Sequence, residues 1–361
     1  MKISVPEHIL SIKPYKPGKP IEEVEREYGI DHSIKLASNE NPLGPSPMAV
    51  RAIQDAIAKL NRYPDGGGHD LIRSIAKHQG VMPENVVLGN GSDEIIGMLT
   101  CALLQPGDEA ILPRPSFLMY DILVRSAGAK PVPVELTSLS IDLDGIRDRI
   151  TPNTRMIFLC NPNNPTGTII TKKAFETFLE SIPREVVVVV DEAYIEFVRD
   201  EDCADSIDYI DSGLPVVTLR TFSKAYGLAG LRIGYGVMSE EIASILNRIR
   251  LPFNASTLAQ AGANAALKDK AFLEKTRRLI TEELDFLWNA LKDLGTRFFP
   301  TQANFFLIDT GKNADEVFER MLRQGVIVRS MTSYGYPEYI RINVGLHDEN
   351  VRFLEALEKV M

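Results

Sequence analysis

The sequence predicts an α/β protein in two parts, a large domain built on a mostly parallel sheet and a smaller α+β domain at the C-terminus. Three observations carry that expectation. At 361 residues the chain exceeds the roughly 250–300 residues at which a single hydrophobic core stops growing, so it divides. Between Val86 and Leu219, strand-like apolar runs alternate with helix-like ones, the order of a parallel sheet with covering helices. The run from Val186 to Val190 is unbroken valine, which suits a strand buried on both faces.

Residues 1–45 read as an N-terminal arm. Prolines and a glycine between Pro14 and Pro20 punctuate it, leaving Ile21–Tyr28 as a short charged helix. Residues 46–250 form the large domain. Val50, Ile53, Ile57 and Leu60 recur at helical spacing within Pro47–Leu60, and Arg62-Tyr-Pro-Asp-Gly-Gly-Gly68 ends that helix in a mobile loop. Strand Val86–Leu88 then leads into helix Asp93–Leu104, Glu109–Leu112 into Pro115–Ser126, and Met156–Cys160 into Lys172–Leu179. Val186–Val190 ends in an acidic-aromatic turn, Val216–Leu219 precedes Lys224, and helix Glu240–Arg250 stops at Leu251-Pro252. Residues 251–361 form the small domain. Its long helical stretch Ser256–Leu294 breaks near Lys268–Lys270. Strand Asn304–Ile308, helix Ala314–Gln324, strands Val326–Arg329 and Tyr339–Val344, and helix Glu349–Met361 follow.

Composition narrows the class of function. A chain that is 44% hydrophobic and 25% charged is an ordinary water-soluble globular protein, and no stretch approaches the roughly 20 apolar residues of a membrane span. Met1–Leu10 lacks the apolar core of a secretory signal, which points to the cytoplasm. Cys101, Cys160 and Cys203 are scattered; without a short pair spacing they read as core thiols, not as a metal or redox site. With 40 basic against 49 acidic side chains, a net charge of −9 and no basic cluster, nucleic acid is a poor partner and a small molecule a better one.

In an open parallel sheet, ligands bind beyond the carboxyl ends of the strands. After Val86–Leu88 comes Gly89-Asn-Gly-Ser-Asp-Glu94. Gly91 lets backbone approach an anion, and Ser92 with the first-turn N–H groups can hold a phosphate; the same residues also suit an ordinary helix cap. A dinucleotide fingerprint lacks its third glycine at Glu94, and no Gly-Lys-Ser/Thr of a P-loop is present. Asn161-Pro-Asn-Asn-Pro-Thr-Gly167 is a turn rich in hydrogen-bonding amides. Asp191-Glu-Ala-Tyr194 puts a carboxylate at the deep end of a buried strand, where it is costly without a specific partner. Lys224 sits among Phe222, Ala225 and Tyr226, surroundings that favour the neutral, nucleophilic amine. Thr221, Ser223 and Arg232 lie close enough in sequence to contact one phosphate.

Taken in this order, Gly91-Ser-Asp-Glu94, Asn163-Asn-Pro-Thr-Gly167, Asp191-Glu-Ala-Tyr194 and Ser223-Lys224 with Arg232 resemble fold-type I pyridoxal-5'-phosphate (PLP) aminotransferases. Within that group the chain is most similar to the histidinol-phosphate aminotransferases, through Pro14-Tyr15-Lys-Pro-Gly18, Leu36–Pro45, Arg62-Tyr63-Pro64, Val328-Arg329 and Ile340-Arg341. The resemblance runs nearly end to end. It implies a PLP enzyme of histidine biosynthesis that moves an amino group between L-histidinol phosphate and 2-oxoglutarate, giving imidazole-acetol phosphate and L-glutamate.

The same resemblance assigns roles. Lys224 carries the cofactor as a Schiff base and moves the proton, and Asp191 pairs with the pyridine nitrogen. Asn164 and Tyr194 bind the ring 3-oxygen. Phe117 stacks on the ring, where the family often has tyrosine. Gly91, Ser92, Asp93, Thr221, Ser223 and Arg232 hold the phosphate, joined by Tyr63 of a second subunit, which implies a homodimer with shared sites. Arg329 and Arg341 form the substrate's anion clamp, with Tyr15 and Asn39 nearby. A PLP-dependent threonine-phosphate decarboxylase and a broad aromatic aminotransferase are the competing activities. A regulator on the same fold is disfavoured, because Lys224 and Asp191 are both present and no basic domain is appended.

Overall fold

The computed structural model describes residues 3–15 and 18–361. Met1, Lys2, Lys16 and Pro17 lie outside the described residues, and with them parts of the Met1–Leu10 stretch and the Pro14–Gly18 motif. A seven-stranded sheet organises the large domain, in the order Val86–Gly89, Gly234–Val237, Val216–Thr221, Val187–Asp191, Thr154–Cys160, Glu109–Arg114 and Lys130–Glu135. Neighbours from Val216–Thr221 outward to Lys130–Glu135 are parallel, whereas Gly234–Val237 runs antiparallel to both strands beside it.

The valine run behaves as its composition dictates. Val188 and Val190 enter one core with Ile157 and Leu159, while Val189 enters a second core with Phe158 and Val217. Alternate side chains of one strand therefore fill both faces, as the two-residue repeat of a strand requires.

Two strands of this sheet carry no such signal. Lys130–Glu135 contains Pro131 and Pro133 and occupies the sheet edge, where absent N–H donors are tolerated. Gly234–Val237 runs beneath the start of helix Ser92–Leu103. A Cβ on Gly234 would lie 2.6 Å from the Ser92 nitrogen, so only glycine permits that approach. Helix His69–Gln79 was likewise not anticipated.

The packing corrects the expected domain limits. Helix Thr257–Ala266 lies against helix Pro47–Ile57, and Ala255, Ala259, Ala263, Ala266 and Leu267 belong to the large-domain core. The small domain therefore begins near 269, not at 251. There Asp269 accepts a hydrogen bond from the Phe272 N–H and caps helix Lys270–Asp293, whose Ile280, Leu284, Leu287 and Leu291 fill the second domain's core.

The residues expected to form a separate arm are partly built into that same domain. Ile34–Lys35 pairs in parallel with Val326–Ile327, Leu36 enters the small core, and Val24 packs with Leu322 and Ile327. The single strand expected over Val326–Arg329 is accordingly split. Val326–Ile327 turns to the N-terminal segment, while Arg329–Ser330 joins Tyr339–Asn343, Phe305–Asp309 and an unanticipated Arg297–Phe298 in a four-stranded antiparallel sheet. No helix among the described residues is long and apolar enough to cross a membrane.

Candidate active site

Cys160, Asp191 and Thr221 end three adjacent strands of the large sheet, and a pocket of about 240 Å³ opens beyond them. Lys224 enters it from the loop after Val216–Thr221. Its Nζ donates to the Ser38 carbonyl at 3.0 Å. Burial, reinforced by the guanidinium of Arg341, pulls the amine's pKa from 10.5 down to about 8. Roughly a tenth of the side chain is therefore neutral at pH 7, against well under a thousandth for an ordinary lysine, and the neutral amine is the nucleophilic form.

Asp191 lies on the pocket wall and is only 4% exposed. Its Oδ2 accepts from the Tyr120 hydroxyl at 2.7 Å and its Oδ1 from the Ala193 N–H at 3.2 Å. Neither donor is a cation. Burial outweighs the Tyr120 bond and lifts the carboxyl to about 6, with Asp93 adding to the rise. Among the described residues no cation hydrogen-bonds to the carboxylate, so burial leaves it without a directly paired counter-charge.

Asn164 and Tyr194 are held so that each keeps a donor. Arg341 Nη1 donates to Asn164 Oδ1 at 2.5 Å, leaving the Asn164 amide hydrogens, and Asn39 Nδ2 donates to the Tyr194 hydroxyl at 2.9 Å, leaving the phenol's own proton. Both residues line the pocket. Burial holds the Tyr194 phenol well above its ordinary pKa, so that proton stays on. Phe117 lies on the same wall and meets Tyr120 edge-on at 5.5 Å.

The opposite end suits an anion. Helix Ser92–Leu103 starts there after Gly91, at φ 79°, and no side chain caps its first turn. The N–H groups of that turn are left for a ligand. Arg232 crosses so close to Gly91 that a Cβ would strike its Nη2. The guanidinium reaches Ser223 Oγ at 3.4 Å and Asp93 at 3.6 Å, and Thr221 Oγ1 donates to Ser223 Oγ at 2.9 Å. Glu94 accepts from the Asn90 N–H and from Asn254 Nδ2.

The remaining expected residues lie outside the pocket lining. Arg341 is buried, donates to the Ala37 carbonyl at 2.9 Å, and leaves Nε without a partner. Arg329 stands opposite Arg341 across the antiparallel pair, with Tyr15 beneath its guanidinium at 5.9 Å. Asn39 takes a positive φ of 55° and is 1% exposed. Its N–H bonds to Asn343 Oδ1, while its own Oδ1 has no partner. Tyr63 is 83% exposed and stacks on Phe253 at 4.7 Å, away from this pocket.

Sequence reasoning missed Tyr120, Ser38 and Glu40; Cys160, read as a core thiol, is in the core and also lines the pocket, whereas Cys101, read the same way, is exposed. Glu40 and Ser38 flank Asn39 in the Leu36–Pro45 segment, the one signal that could have found them. Among the described residues no cluster of His, Cys, Asp and Glu is arranged to hold a metal ion.

Known aminotransferases resemble this chain along nearly its whole length. A histidinol-phosphate aminotransferase of Moorella thermoacetica is 47% identical over 356 residues, covering 98% of this chain and 92% of that protein. The enzyme of the same name from Desulfotalea psychrophila is 48% identical over 360 residues, covering 99% and 95%. Among solved structures, the Sinorhizobium meliloti histidinol-phosphate aminotransferase in complex with pyridoxal-5'-phosphate superposes with a TM-score of 0.90 at 28% identity, over 98% of this chain and 96% of that one. Residues 31–357 match the family model for class I and II aminotransferases, and the chain belongs to that family.

Proposed function

We propose that this chain is a PLP-dependent aminotransferase of histidine biosynthesis, acting in the cytoplasm on L-histidinol phosphate and 2-oxoglutarate. The observation that carries the proposal is the pairing, in one pocket, of an amine held at about 8 with a buried carboxylate that has no cationic partner. These residues fit the cofactor. Bound there, pyridoxal phosphate supplies a carbonyl for the amine and an electron-poor ring that takes up charge from the bond broken at the substrate Cα. Asp191 then meets the counter-charge it lacks, by holding a proton on the ring nitrogen. The Asn164 amide and the Tyr194 hydroxyl would donate to the cofactor's ring oxygen, and Phe117 would cover one face of the ring. Thr221, Ser223, Arg232 and the Ser92 turn would hold its phosphate, and Lys224 would carry the proton at the substrate Cα.

The neutral fraction of Lys224 sets how fast the cofactor is captured. For the cofactor-free chain, the capture rate should climb roughly tenfold per pH unit below 8 and level off above about 9, as an amine of that pKa loses its proton. Stopped-flow absorbance reads this directly. A rate independent of pH between 6 and 9 would contradict a titrating Lys224.

Arg329 and Arg341 face one another on adjacent strands, a spacing that suits a phosphate in one half-reaction and a carboxylate in the other. The test is a half-reaction screen with histidinol phosphate, threonine phosphate, phenylalanine and glutamate. Histidinol phosphate and glutamate should convert the cofactor to its pyridoxamine form. Carbon dioxide release from threonine phosphate without that form would overturn the substrate assignment.

The exposure of Tyr63 supports a homodimer in which it completes the partner's phosphate site. Tyr63→Ala and Lys224→Ala should each be nearly inactive. After subunit exchange the mixture should regain about a quarter of wild-type activity, because only the hybrid dimer contains an intact site. No recovery after demonstrated exchange would count against shared sites.

A further inference from the structure

The structure assigns Tyr120 a function of its own: we infer that it is the positioning residue that aims the Asp191 carboxylate and keeps it charged for a cationic ring nitrogen. The inference rests on the proposed PLP chemistry and adds to it a residue that makes no contact with substrate.

The geometry leaves Tyr120 little other purpose. Its ring is fully buried, stacked on Phe158 at 4.8 Å and 10°, and met edge-on by Phe117 at 5.5 Å. Helix Met119–Ser126 starts beneath it, and its own N–H bonds back to the Phe117 carbonyl at 3.2 Å. The hydroxyl is thereby carried to Asp191 Oδ2, at 2.7 Å, with the Cys160 thiol beside it. With the Ala193 N–H fixing the other oxygen at 3.2 Å, the carboxylate plane is set from two sides.

The type of donor matters as much as its position. An arginine or lysine at this place would neutralise Asp191 and leave nothing for a ligand. Burial holds the Tyr120 phenol far above its ordinary pKa, so it donates a hydrogen bond without giving up its proton. The carboxylate is oriented and stabilised, and its charge remains available. Among the described residues Asp191 is also faced by Asp93, which opposes its ionisation, by Lys224, which favours it, and by the Cys160 thiol and Tyr194 phenol, both of which burial keeps protonated. Phe117 lies three residues before Tyr120 and meets its ring edge-on, so the two aromatic side chains brace one another.

Tyr120→Phe keeps both aromatic contacts and deletes only the hydroxyl. In the cofactor-free full-length chain, the carboxyl midpoint of Asp191, followed by carbon NMR, should rise by about one unit from its value near 6. In the loaded enzyme, kcat should fall roughly 10–100-fold, the range for a hydrogen bond to a charged group, with the KM for the amino donor within about twofold. Cofactor dissociation should speed up by a similar factor. Phe158→Leu, which loosens the ring's packing but keeps the hydroxyl, should leave the Asp191 midpoint in place. An unchanged midpoint in Tyr120→Phe, or an equal shift in both variants, would show that Tyr120 serves only as packing. If wild type transfers no amino group while the midpoint still shifts, the functional reading fails and the Tyr120–Asp191 link stands.

Discussion

Replacing Lys224 by alanine should leave a folded protein whose turnover is lower by about 10⁴-fold or more, since in the proposed roles the variant loses its nucleophile and its proton carrier together. Folding should survive because the loop is fixed by backbone bonds that the side chain does not make. Phe222 N–H donates to Ile233, and Leu228 N–H to Phe222, at 3.1 and 2.9 Å. The amine itself bonds to the Ser38 carbonyl, a group that belongs to the neighbouring segment. Circular dichroism and thermal unfolding close to wild type, beside absent turnover, are the expected pair of results. A purified Lys224→Ala enzyme with near wild-type rate would remove the basis of the mechanism.

Asp191→Asn should cost about 10³-fold in rate and much less in cofactor affinity, because in the proposed site the phosphate contacts would remain while the ring would lose the charge that keeps its nitrogen protonated. The same substitution has a second signature in the cofactor-free chain. Folding raises the Asp191 pKa from 3.8 to about 6, so between those values the folded state binds more protons than the unfolded one. Stability then falls as pH rises through that window. Above it the buried charge carries a deficit of about 3 kcal/mol, and below about pH 4 none. Cofactor-free Asp191→Asn should therefore be more stable than wild type in urea at pH 8, and the difference should vanish toward pH 4. Equal stability at pH 8 would mean that Asp191 finds its charge satisfied without the cofactor.

How far the sequence anticipates this site depends on where each signal lies along the chain. The strand ends are legible because the apolar stretches ending at Cys160, Val190 and Leu219 give way to polar residues, and the pocket opens close beyond them. Lys224 and Arg232 share one loop and could be read together. Tyr120 could not. It lies 71 positions from Asp191 on a short amphipathic helix, where a lone tyrosine looks like any other core residue. Edge strand Lys130–Glu135 was hidden by its prolines, and Gly234–Val237 by glycines that serve close packing. The domain limit was misplaced for a related reason. Helix Thr257–Ala266 buries mainly alanine and glycine, residues too small to reveal which core they join, and the nearby Leu251-Pro252 gave a stronger but irrelevant stop.

The central claim, that Lys224 and Asp191 together serve amino transfer from histidinol phosphate, is tested most directly by following the nitrogen. Wild-type enzyme loaded with PLP would be given histidinol phosphate labelled with ¹⁵N at the amine, together with 2-oxoglutarate. Mass spectrometry should find ¹⁵N-glutamate and imidazole-acetol phosphate in equal amounts, and neither with Lys224→Ala. Unlabelled glutamate, or consumption of histidinol phosphate without transfer of its nitrogen, would contradict the account.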